Sequence, residues 1–123
     1  MILNNSVQNS YVLDTIIEKA KNHRIIMINE NHYYPNHRLL VTELLPKLKE
    51  IGYTHLALEA LGKSQDSILN LPNSYPTLNS GFYTSEQNFA NLIRKAKELN
   101  FKFVAYENHY ENKNREFTQA ENL

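Results

Sequence analysis

The tetrapeptide ENHY occurs twice, in IIMINENHYYPNHR (25–38) and in FVAYENHYENKNRE (103–116), each time closing an apolar run. It sets a carboxylate and an imidazole two residues apart: Glu30 with His32, and Glu107 with His109. A third run, THLALEA, carries Glu59 near its end. An imidazole with one ring nitrogen held by a glutamate can act as general base on water, and Arg38 nearby could stabilise the negative charge that develops. Imidazole with carboxylates also suits a divalent ion (Zn, Mn, Co or Fe), for which Glu30, His32, Glu59 and Glu107 form the candidate ligand set. Both routes are hydrolytic. A lone Glu at a strand end is more often a solvated residue, so the pattern gains meaning only from where its members fall.

Composition narrows the field. The chain has 123 residues, with thirteen basic and thirteen acidic side chains and no net charge. One domain fits this length. No overall field exists to attract nucleic acid or an anionic membrane. Without cysteine there is no thiolate nucleophile and no Cys-type zinc site. No basic-then-apolar leader opens the sequence and no apolar stretch is long enough to span a bilayer, so a cytoplasmic location is expected.

The elements that must position the candidates follow from periodicity. Val12, Ile16, Ile17 and Ala20 predict a helix from Asn9 or Ser10 to about Asn22. RIIMIN (24–29) reads as a strand covered on both faces. From His37, the positions Leu40, Leu44, Leu48 and Ile51 define a second helix, closed by Gly52 and bent by Pro46 near Thr42. A second strand is expected at 54–60, then a long polar loop at 63–84 able to act as a lid. Thr84 with Gln87 suggests a capping box for a helix whose apolar positions are Phe89, Leu92, Ile93, Ala96 and Leu99. A third strand follows at 101–107, and the tail ends in the first turns of another helix.

The fold class is therefore α/β, a parallel sheet in β-α-β-α-β order after an N-terminal helix, as an incomplete three-layer domain. In such sheets ligands bind outside the carboxyl ends of the strands, which would gather Glu30, Glu59 and Glu107 on one rim. His32 and His109 would join them, with His37 and Arg38 pointing back from the following helix. Clustered carboxylates call for a compensating cation, whether a metal, Arg38 or a substrate. His37 and His55 otherwise read as structural or exposed, and His23 as lying by the C-terminal end of the first helix, where its charge is modestly favoured. Tyr33, Tyr34, Tyr83, Tyr106 and Tyr110 read mainly as half-buried packing, although a rim tyrosine can ligate haem iron.

Three segments resemble a known family. INENHYYPNHRLLVTELLPKLKEIGYTHLALEAL resembles the first motif block of the erythromycin esterase, Tiki and ChaN-like superfamily; SGFYTSEQNFANLIRKAKELNFKFVAYE and NREFTQAENL are similar to its next strand and to an Arg-acidic pair opening a helix. The resemblance implies that Glu30 and His32 are the first-motif pair, Arg38 the basic residue of the following helix, Glu59 the glutamate ending the second strand, and Arg115 with Glu116 the later pair. Asn29 stands where the family has glycine, and a single residue separates Glu30 from His32. The resemblance implies three chemistries: a metal-dependent protease, a metal-free esterase using His-activated water, and a haem or iron binder. It also implies that the chain matches the amino-terminal portion of a longer domain. Expected partners are then a small-molecule or peptide substrate, and a second copy or a further half covering the open sheet edge. A weakly active or non-catalytic copy is the remaining expectation.

Overall fold

The structure, a computed structural model, describes residues 2–107 and 114–123, with side chains from residue 10 onward; His109 and Tyr110 lie outside the described residues. Its elements are α1 (Ile2–Ala20), α2 (Asn36–Glu50), β1 (His55–Leu58), α3 (Gln65–Leu69), α4 (Gln87–Glu98), β2 (Lys102–Ala105) and α5 (Arg115–Glu121), with a 3-10 turn (Tyr83–Ser85) before α4.

Helix α4 forms because one stripe is apolar. Phe89, Leu92, Ile93 and Ala96 are buried while Arg94 and Glu98 face water. The stripe packs on α2, whose Leu44, Leu45 and Leu48 are buried against it in one core with Leu58, Leu61, Leu69, Phe101 and Phe103. Each such side chain contributes roughly 1.5–3 kcal/mol by leaving water. Both helices end alike. Gly52 (φ 103°) follows α2 and Asn100 (φ 58°) follows α4, and the next amides return to helical carbonyls, Tyr53 N to Leu48 O at 3.0 Å and Phe101 N to Ala96 O at 2.9 Å. A strand then starts within a few residues of each cap. The two strands pair in parallel, from His55 with Lys102 to Leu58 with Ala105, giving a mixed helix-and-strand fold around a small two-stranded sheet.

The outer side of β2 is closed by side chains. The Asn70 carboxamide donates to Phe103 O (3.0 Å) and accepts from Phe103 N (2.8 Å), and Asp66 accepts from Ala105 N (3.1 Å). Residues on and just after α3 thus stand in for a neighbouring strand. Lys97 fixes the chain beyond α3 by donating to Leu69 O, to Leu71 O (3.2 Å) and to Ser74 Oγ (2.8 Å). The 63–84 segment, expected as a loop, therefore contains a helix and is tied to α4.

Several expectations change. Residues 24–29 form neither helix nor strand among the described residues. Only Ile26 packs against the core, while Ile25 and Ile28 are exposed and Met27 is 83% exposed. The physical reason is that, among the described residues, the side chains of this run other than Ile26 gain little burial, so a strand here would leave its apolar residues in water. Helix α1 begins well before Asn9, at Ile2. Helix α2 runs without interruption across Pro46. The cap of α4 is Glu86, not Thr84; its carboxylate accepts from Asn88 N (2.9 Å) and Phe89 N (3.0 Å), and a charged acceptor at a helix start is also favoured by the helix dipole. Thr84 is instead buried in the preceding turn, donating to Gly81 O at 2.7 Å. No helix among the described residues is long and apolar enough to cross a membrane.

Candidate functional site

Arg38 is the centre of the first cluster. Helix α2 carries it inward, where it is 2% exposed. Its Nη2 donates to Glu30 Oε1 at 2.6 Å and to His32 O at 3.2 Å, its Nε to Glu30 Oε1 at 3.1 Å, and its Nη1 to Glu86 Oε2 at 2.9 Å. The Phe89 ring lies 5.1 Å from the guanidinium carbon and covers one face. Arg38 therefore joins the irregular 24–32 segment to the start of α4. It supplies the positive charge expected to compensate the carboxylates, with the guanidinium buried and engaged on both sides by them.

His32 completes the cluster. Its Nδ1 lies 2.7 Å from Glu30 Oε1, so that ring nitrogen donates to the carboxylate. One face stacks on Tyr83, with centroids 4.1 Å apart and planes 21° apart. His37, near the start of α2, accepts from Asn31 N through Nδ1 at 3.1 Å and stacks on Tyr34, which orders the turn that follows His32.

Burial alone would raise the Glu30 pKa, but hydrogen bonds from Arg38 and His32, with the Arg38 charge, hold it below its ordinary value. Burial likewise opposes Glu86, and its bonds from Asn88, Phe89 and Arg38 bring it lower as well. Desolvation also works against the Arg38 charge, and the two carboxylates outweigh it. A depressed carboxylate stabilises the fold at pH above its unfolded value and loses that contribution as pH falls through the folded one. Urea midpoints should accordingly drop as pH falls below about 4.5, the ordinary carboxylate range. In Glu86→Gln the drop should be shallower; an identical acid profile for both proteins would contradict the assignment.

The second cluster lies beyond the strands. Glu59 follows β1, Glu107 follows β2, and Arg115 at the start of α5 bridges them: Nη2 bonds Glu59 Oε1 and, at 2.6 Å, Glu107 Oε2, while Nε bonds Glu107 Oε1 at 3.0 Å. Gln119 adds bonds to Glu59 (3.3 Å) and Glu107 (3.1 Å). Burial and the two carboxylates raise the Tyr106 phenol pKa, against a smaller opposing effect of Arg115. Of the expected later pair, Arg115 is drawn into this cluster, whereas Glu116 is exposed.

One turn links the two clusters. Gly81 lies against the carbonyl of Ala60, next to Glu59, and the 3-10 turn that begins two residues later carries Tyr83 onto His32. The four candidate metal ligands nevertheless form two pairs, Glu30 with His32 and Glu59 with Glu107, each bonded to its own arginine. Among the described residues no group of three or more His, Asp or Glu side chains could hold an ion. His109, the remaining rim candidate, lies outside the described residues. Glu86 was missed by sequence reasoning, and Tyr83 was read chiefly as half-buried packing. Glu86 sits inside the apparent capping box and shows its second role only through a contact across 48 positions of chain, and Tyr83 reads as one aromatic among many. Compared with known proteins, the chain matches no family model, no curated protein and no solved structure, so this site is read from its own geometry.

Proposed function

We propose that the chain is a hydrolase-like domain in which His32 activates water for attack on an ester or peptide carbonyl. The observation that carries this reading is the 2.7 Å bond from His32 Nδ1 to a glutamate itself fixed by a buried arginine. Glu30 orients the imidazole and stabilises the imidazolium formed when Nε2 takes a proton from water. Arg38 positions Glu30. Because Arg38 is turned inward, the oxyanion lacks the clamp expected of it, and turnover should be slow. The finer architecture belongs to the same proposal: with 24–29 as a first strand in a three-layer β-α-β-α-β sheet, Glu30 would end a strand as Glu59 and Glu107 do. So does kinship with the erythromycin esterase, Tiki and ChaN-like superfamily. Its alternatives, a divalent-metal site and haem or iron carriage, draw on the same residues, and no observation favours them over the dyad.

Hydrolysis of 4-nitrophenyl acetate by the purified chain tests the reading. His32→Ala should lower the rate above buffer by about 100-fold or more, the usual worth of a positioned general base. A rate within twofold of the parent, or no parent rate above buffer, would refute it.

A further inference from the structure

Beside the Glu30–His32 dyad lies a row of rings. Tyr83 stacks on His32 at 4.1 Å, and Phe82 meets Tyr83 edge-on, centroids 5.2 Å apart and planes at 88°. The row runs outward from the imidazole and ends on Phe82, which is 86% exposed. Tyr33 and Tyr34, directly after His32, are exposed too. A phenyl ring held in water by a turn, rather than folded onto the adjacent core, presents apolar surface without gaining burial. The turn is built to hold it there: Thr84 is buried and bonded to Gly81 O, Ser85 Oγ donates to Phe82 O at 2.9 Å, and Gly81 is pressed against Ala60.

Charge narrows what such a row could receive. Glu30 and Glu86 are both bonded to Arg38, and His32 to Glu30. Two carboxylates against one guanidinium leave the cluster with one net negative charge, which disfavours an anionic ligand. The rings offer a face and an edge on which a further ring can pack beside His32.

We infer that Phe82 and Tyr83 form the binding platform for the aromatic ring of a non-anionic substrate, which makes an aryl ester the class that the dyad would act on. This rests on the hydrolase reading for the reaction, but the binding step stands apart from it. Stacking on an aromatic side chain changes affinity by about three- to tenfold.

The test uses the full chain, isotope-labelled, with 2-naphthol as an uncharged ring probe and 1-hexanol as a ringless control of similar alcohol chemistry. Ring resonances of Phe82, Tyr83 and His32 should shift and saturate with 2-naphthol and stay put with 1-hexanol. Phe82→Ala, at an exposed position that folding does not need, should weaken binding about three- to tenfold, and Tyr83→Phe should retain it. Equal shifts with 1-hexanol, shifts spread evenly over the surface, or unchanged affinity in Phe82→Ala would overturn the platform. Saturable binding without any hydrolysis would leave the platform standing and remove the dyad's catalytic role. Hydrolysis indifferent to aryl or alkyl esters, with no probe binding, would do the reverse.

Discussion

Arg38→Met should lower unfolding free energy by about 2–4 kcal/mol, measured by urea denaturation at pH 7. Methionine matches much of the volume and can lie against Phe89, so the loss is chiefly electrostatic. It leaves Glu30 and Glu86 facing each other's side of an apolar site with their shared partner gone. Breaking a fully buried ion pair costs about 3–5 kcal/mol; the lower figure follows because Glu86 retains 37% exposure and its two backbone bonds at the α4 start. Adding Glu30→Gln to the variant should recover part of the loss, since one uncompensated charge is then removed. A loss below about 1 kcal/mol would place Arg38 among ordinary surface pairs and sink its role as the anchor of the dyad.

Gly81→Ala should be nearly as damaging, by roughly 2–4 kcal/mol, or about 10 °C in thermal midpoint. A Cβ at Gly81 would fall 2.0 Å from Ala60 O, 3.1 Å from Ala60 C and 3.4 Å from Gly62 N. All three are backbone atoms, so no side chain can swing aside. Either the exit of β1 moves or the turn carrying Tyr83 moves, and the Gly62 N to Ser80 O bond of 2.9 Å joins the two. Gly62→Ala is the internal control. Its Cβ would meet the flexible Gln65 side chain at 3.3 Å, and a shift of that side chain accommodates it. Equal midpoints for the two variants would show that the Gly81 contact is not what locks strand to turn.

Helix α4 was readable because its apolar stripe is decided locally: Phe89, Leu92, Ile93 and Ala96 recur at helical spacing and all end up buried. The strand pair was readable for a similar reason, since each strand directly follows a capped helix and so has its direction imposed. The 24–29 run was not. Its aliphatic residues report only that burial would be favourable, and burial needs a second layer that the described chain does not place there. The Glu30, His32 and Arg38 grouping was legible from spacing, because a helix beginning near residue 36 brings position 38 back to the turn before it. The rim of three glutamates was half legible. Strand direction says at which end Glu59 and Glu107 emerge but not how far Glu30 stands from them, and two arginines, not one, settle that. The cover over β2 left no trace in periodicity, because Asp66 and Asn70 act through side-chain atoms that mimic a backbone.

Pro46 offers no N–H, so the carbonyl of Thr42 receives no rung from it inside an otherwise continuous α2. That gap divides the helix by task. The turns ahead of it hold His37 and Arg38; those from Leu44 onward hold the buried leucines. The half of α2 that grips the two carboxylates is therefore joined to the half that seats the leucines by one backbone bond fewer than an unbroken ladder supplies.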